Sequence, residues 1–188
     1  SDILFSSFFQ SYYTICRLHN FWLLFKLSLF CSKKEKIVIY FYLLYVRGGF
    51  FMVYERKVNY YELDGMQIVH HSNYIRFLEE ARIFYLEKIG LPYSYIEQQG
   101  VMIPVLGVNV QYKSPAKFEE IICVEVSIVE CNGVRMKIAY RITKKDTGEL
   151  VLTGETTHCF TDTTMRPVSL KKYRPEMYET FEKYVTKK

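Results

Sequence analysis

Two runs alternate apolar and polar residues over strand length: IICVEVSIVE at 121–130 and VRMKIAYRI at 134–142. Side chains of a strand point to opposite faces in turn, so Ile122, Val124, Val126 and Ile128 share one face of the first run. Val134, Met136, Ile138, Tyr140 and Ile142 do the same in the second. Between them lies Asn132-Gly133, a strong hairpin signal because both residues tolerate the positive φ of a tight turn. KDTG at 145–148 predicts another turn and ELVLTGETTHCFTD at 149–162 another strand. An antiparallel meander with one apolar face follows, and that face needs a cover.

The cover is legible upstream. YIRFLEEARIFYLEKIG at 74–90 places Phe77, Leu78, Ala81, Phe84, Tyr85 and Ile89 at helical spacing. Ser72 or Asn73 is the expected N-cap, Gly90 and Pro92 supply a stop, and Arg76 is spaced to pair with Glu80. YSYIEQQG at 93–100 reads as a short second helical segment, and VYERKVNYY at 53–61 as a strand ending near Tyr61. The fold class predicted is α+β, a curved antiparallel sheet wrapped around one long central helix.

The chain divides at residue 52. Its 188 residues suffice for one domain with a core, and the formal charge is +5. Residues 1–51 hold six Lys or Arg against two acids, whereas 52–188 hold 19 against 18, so the main body carries no basic footprint for nucleic acid. Residues 1–51 contain no Ala, Pro or Met. Their apolar runs FWLLFKLSLF and IVIYFYLLYV fall short of the roughly 18–20 residues of a spanning helix. Arg47-Gly48-Gly49 can be encoded by a purine-rich run just before the Met52 codon, as in a translated ribosome-binding site. The expectation is that 1–51 is a leader-derived extension, the alternative being a membrane-associating one, and that the domain is 52–188. Sequencing the N-terminus of the natural protein separates the two.

The five cysteines show no CxxC spacing and no cluster with histidine, so they predict reduced thiols in a cytoplasmic protein and no metal site. Cys123, Cys131 and Cys159 sit in or beside strand runs and read as small buried hydrophobes.

One short stretch is unlike the rest: YYELDGMQIVHHSNY at 60–74 sets a single carboxylate, Asp64, a few residues before the helix. Asp favours turns for its own backbone's sake. A helix N-terminus, however, presents unpaired N–H groups and the positive end of a dipole, which polarise a carbonyl oxygen. A carboxylate beside such a site can attack the carbonyl carbon or activate water, and the two parts together suit acyl transfer. His70 and His71 are adjacent but lack a third metal ligand; acid catalysis or substrate contact is open to them. His158 reads as a satisfied sheet histidine.

YYELDGMQIVHHSNYIRFLEEAR, PVLGVNVQYKSPAKFEE and TGETTHCFTDTTMRPVSL together resemble the hotdog-fold acyl-CoA thioesterases, in the branch of 4-hydroxybenzoyl-CoA thioesterase and its YbgC-like relatives. The resemblance spans 52–188 and none of 1–51. It implies hydrolysis of an acyl-CoA to CoA and a carboxylic acid, no cofactor, and Asp64 as nucleophile or general base. It further implies that the backbone N–H at His71 holds the thioester oxygen, and that the protein is a homodimer or homotetramer joined edge to edge with sites at the interface. Leu63 stands where the family commonly has Thr, and Gln67 where it commonly has Gly. His70, Lys113, Arg135 and Arg166 are the candidate substrate-binding residues, the three cations, with Lys117, as partners for CoA phosphates. Rival readings are an acyl-carrier-protein thioesterase and a hotdog protein that binds acyl thioesters without turnover.

Overall fold

In the computed structural model, which describes residues 52–186, five strands form one antiparallel sheet. They are β1 (Met52–Lys57), β2 (Val105–Tyr112), β3 (Ile121–Cys131), β4 (Arg135–Lys144) and β5 (Leu150–Cys159), in the order β1-β3-β4-β5-β2. The expectations for residues 1–51 lie outside the described residues. The meander covers β3, β4 and β5; β2 leaves it, pairing with β5 from Val105↔His158 to Tyr112↔Leu152. The chain from β2 to β3 therefore crosses the sheet, and β1 and β2 form its two edges.

The alternation in β3 and β4 is the packing pattern. Ile122, Val124, Val126 and Ile128 are buried, as are Met136, Ile138, Tyr140 and Ile142. They meet across the ladder as Val124↔Ile142, Val126↔Tyr140 and Ile128↔Ile138. Each such aliphatic side chain contributes about 1.5–3 kcal/mol when fully buried. The turn at Asn132-Gly133 is wider than a two-residue hairpin, since Cys131 pairs with Met136. Asn132 Oδ1 accepts the N–H of Val134 at 2.9 Å and of Arg135 at 2.8 Å, which draws Val134 out of the strand and leaves it exposed. Gly133 has φ 89°, and a Cβ there would come within 2.7 Å of Lys171 Cγ.

Helix α1 (His71–Lys88) lies against the sheet and buries Tyr74, Phe77, Leu78, Ala81, Arg82, Tyr85 and Leu86. Gly90, at φ 85°, ends it, and Leu91 N–H returns to Leu86 O at 2.9 Å. Its start differs from the expected cap. His70 is the N-cap and its Nδ1 accepts Ser72 N–H at 3.3 Å, because the Asn73 side chain is committed elsewhere. Glu80 pairs with Arg56 of β1 rather than with Arg76. Helix α2 (Tyr93–Gln98) falls where YSYIEQQG predicts it.

The chain after β5 adds two helices, α3 (Leu170–Tyr173) and α4 (Pro175–Lys183), that strand patterning does not announce. Pro175 opens α4 at a position where its missing N–H costs nothing. Met177, Tyr178 and Phe181 are buried, and the Phe181 ring lies 5.6 Å from Phe160. This C-terminal segment closes the β3–β4 hairpin end: Leu170 N–H donates to Gly133 O at 2.6 Å and Thr186 N–H to Ile128 O at 2.8 Å. Among the described residues no helix is long and apolar enough to cross a membrane.

Candidate active site

The strand expected to run to Tyr61 stops at Lys57, and Tyr60–Glu62 form a single 3-10 turn. Val58 is fully buried, with its N–H on Glu120 O and its O holding Glu119 N–H, so the edge strand ends by turning inward. The chain then folds back on itself: Leu63 bridges Val69, and Asp64 N–H donates to Ile68 O at 2.8 Å. Residues 64–68 form a tight loop, with Gly65, Met66 and Gln67 exposed at its tip. Ile68 bridges Lys117, and Val69 N–H donates to Ala116 O at 2.9 Å.

Asp64 is half-buried at the base of this loop. One carboxylate oxygen accepts Met66 N–H at 2.8 Å, and among the described residues the other oxygen has no donor. Gln67 has φ 61°, the left-handed region that glycine favours, so the glycine common in the resembled family suits this backbone better than the Gln this chain carries. Gln67→Gly should relieve strain of about 1 kcal/mol, partly offset by the extra freedom of the unfolded chain. A small rise in thermal midpoint is expected; a fall of several degrees would show that the loop is not strained there.

His71 is the first residue of α1, and its amide has no acceptor among the described residues, while its carbonyl accepts the Tyr112 hydroxyl at 3.1 Å. An open N–H at the positive end of an 18-residue helix is a ready donor to a carbonyl oxygen. The His71 ring is exposed and stacks 4.1 Å from that of His70, whose Nδ1 is turned to Ser72. Neither imidazole contacts Asp64. Among the described residues no group of three His, Cys, Asp or Glu side chains converges as a metal site would need.

Of the candidate cations, Lys113 and Lys117 stand near this end. Lys113 follows Tyr112, and Lys117 bridges the Asp64 loop; both are exposed. Arg135 opens β4 opposite Cys159, and Arg166 holds a turn with Asp162, so within one chain both lie at the other end of the sheet. His158 is in the core. Its Nε2 lies 2.7 Å from Thr156 Oγ1 and its Nδ1 faces Arg82 at 3.4 Å. Burial, then the Arg82 charge, lowers its pKa to about 4, so it is neutral near pH 7. Cys123, Cys131 and Cys159 are free and only half-buried; burial raises the first two thiols.

Three residues that the sequence does not mark as site residues are built into the site: Tyr112 through its hydroxyl, and Glu62 and Asn73, the latter read from sequence only as a cap, through a bond from Asn73 Nδ2 to Glu62 O at 2.8 Å. Glu62 left a further signal. Asn59 and Glu62 have the spacing of a capping box, and Glu62 Oε2 accepts Asn59 N–H at 2.8 Å.

Comparison with known proteins agrees with this architecture. Residues 58–181 match the thioesterase-like superfamily. The putative acyl-CoA thioesterase YneP of Bacillus subtilis is 32% identical over 69% of this chain and 94% of its own. The long-chain acyl-CoA thioesterase FadM of Escherichia coli is 28% identical over 50% of this chain and 71% of its own. The solved DHNA-CoA thioesterase of Staphylococcus aureus superposes with a TM-score of 0.67 at 31% identity, over 71% of this chain and 89% of that one. A sheet wrapped on one helix is thus shared with proteins named as thioesterases, and the chain belongs to the thioesterase-like superfamily with its hotdog fold.

Proposed function

We propose that this enzyme hydrolyses an acyl-CoA thioester to CoA and a free carboxylic acid, with Asp64 and the His71 amide as its reacting pair. The observation that carries the reading is the open His71 N–H at the head of α1, joined to Asp64 by the short paired segment 63–69. The thioester oxygen accepts that N–H. With Asp64 as general base, the carboxylate takes a proton from water while the water oxygen bonds to the carbonyl carbon. The resulting oxyanion is held by the amide, the C–S bond breaks, and the CoA thiolate leaves with the proton that Asp64 returns. With Asp64 as nucleophile, an oxygen of the carboxylate forms the new bond and CoA leaves as thiolate; water then cleaves the mixed anhydride to the free acid and the Asp64 carboxylate, and the proton released goes to the thiolate.

The same reading makes the protein a homodimer or homotetramer. The outer edge of β2 has no strand partner among the described residues, and it exposes Val105, Leu106, Val108 and Tyr112. An open apolar edge is a pairing surface. Two-fold antiparallel pairing of β2 edges sets the Val105 end of one protomer beside the Tyr112 end of the other. Arg135 and Arg166 of one chain then approach the Lys113 and Asp64 end of its partner, in reach of CoA phosphates. Light scattering on the wild type should give a dimer or tetramer at micromolar concentration, and Val108→Lys should give a folded monomer with reduced turnover. A monomeric wild type would end the pairing proposal. The odd cysteine number and the free thiols favour a cytoplasmic setting.

Thiol release from a panel of aliphatic and aromatic acyl-CoAs, with an acyl-carrier-protein thioester beside them, tests the activity. Multiple turnovers on at least one acyl-CoA are expected. Binding without turnover on every member would make the protein a thioester-binding module, and turnover on the carrier protein alone would move the substrate class.

A further inference from the structure

We infer that the buried Arg56–Glu62 ion pair is a positioning device for the reacting pair, and that Glu62 is the fixed point from which both Asp64 and the His71 amide are placed. The inference rests on the assignment of those two groups and adds what sets their relation.

Glu62 is a carboxylate with only 4% of its surface exposed, two residues before Asp64. Its Oε1 meets Arg56 Nη2 and its Oε2 accepts Asn59 N–H at 2.8 Å. Its backbone oxygen accepts two more donors, His70 N–H at 2.9 Å and Asn73 Nδ2 at 2.8 Å. One residue therefore stands next but one to the carboxylate and is bonded directly to the residue before His71.

Arg56 supplies the anchor. It belongs to β1, opposite Ile122 of β3, so its backbone is fixed by the sheet. Its guanidinium lies 3.7 Å from the centre of the Phe77 ring, and its Nη1 reaches Glu80 at 3.1 Å, so its head is fixed by α1. Sheet, helix and loop converge on one ion pair. Beyond it the loop tip has little support, since residues 65–67 are exposed and Gln67 is strained.

Stability alone is a weak reason for such a pair. Desolvation of two buried charges often cancels their attraction, and apolar side chains of like volume can replace them without loss. Arg56 Nε is moreover buried with no partner among the described residues, an unpaid desolvation. A pair of this kind specifies a geometry, and misplacement of reacting groups by about 1 Å is worth roughly a hundredfold in rate.

The test compares kcat, KM and thermal midpoint for Glu62→Gln and for the double variant Arg56→Met with Glu62→Met. For Glu62→Gln, kcat should fall about ten- to a hundredfold with KM changed less than about threefold. The double variant leaves no buried charge uncompensated, since Glu80, which also loses Arg56, is exposed to water, so its midpoint should return toward wild type while kcat stays low. Recovery of kcat together with the midpoint would overturn the inference, because the pair would then be serving the fold alone. Glu62→Gln is also combined with Asp64→Asn. Because Glu62 places both groups, Glu62→Gln should cost less in the Asp64→Asn background than in the wild type, the remainder acting through the His71 amide; a loss as large as in the wild type shows that Glu62 does not place Asp64 and overturns the inference. Asp64→Asn alone reports separately on the assignment of the carboxylate, since normal turnover there refutes that assignment whatever Glu62 does.

Discussion

Asp64→Asn is expected to lower turnover by about a hundredfold or more, the scale of losing a positioned general base or nucleophile. Asn keeps the size and can still accept Met66 N–H through its amide oxygen, so the loop retains its one side-chain bond. What is lost is the charge. Because the side chain is half-buried in a loop and carries no ion pair, the stability change should stay within about 0.5 kcal/mol. Steady-state thiol release and a thermal melt on the same sample separate the two effects. Turnover at the wild-type level would remove Asp64 from the mechanism.

His71→Pro is expected to be nearly as damaging. Loss of one oxyanion donor is worth about 2.7–4 kcal/mol, or roughly a hundred- to a thousandfold in kcat. Proline deletes the N–H outright, and the fold should accept it for two reasons. The amide has no acceptor to forfeit among the described residues, and His70 already sits at φ −59° and ψ 132°, the extended region that a residue before proline prefers. His71→Ala keeps the donor and removes only an exposed ring, so it should retain turnover within a few-fold of wild type. If Ala proves as damaging as Pro while both remain folded, the imidazole is the working group and the amide assignment is wrong.

Much of the fold was legible because a single physical pattern wrote it. Period two in β3 and β4 and period 3.6 in α1 are the burial patterns observed, down to Ile122, Val124 and Val126 on one face and Phe77, Leu78 and Ala81 on the other. The misses occur where local and long-range partners compete. Asn73 looks like a cap from its neighbours, but Glu62 O, eleven residues away, takes its side chain. Arg76 looks like a helix-surface partner for Glu80, but Arg56 from β1 takes it. The crossover of β2 to the far side of β5 is a choice among edges that alternation cannot make, and α4 is nine residues long, with an apolar face only as wide as Met177, Tyr178 and Phe181.

At the candidate site the legible part was chemical and the illegible part geometric. An isolated carboxylate before a helix start can be read from YYELDGMQIVHHSNY, since Asp64 and the helix that follows are both local signals. That Lys113 and Lys117 would stand near it, and Arg135 and Arg166 at the other end of the chain's own sheet, depends on strand order and register. The support from Glu62 and Arg56 depends on burial, which a charged residue does not advertise in sequence.

The central claim is that a thioester carbonyl docks on the His71 amide with the Asp64 carboxylate beside it. The most direct measurement follows the His71 amide by nuclear magnetic resonance as the protein binds a ketone analogue of acyl-CoA, in which a methylene replaces the thioester sulphur and hydrolysis cannot occur. The account predicts a downfield shift of the His71 amide proton with the ketone analogue and none with CoA alone. A saturated complex with the ketone in which the His71 amide stays at its free position would contradict it.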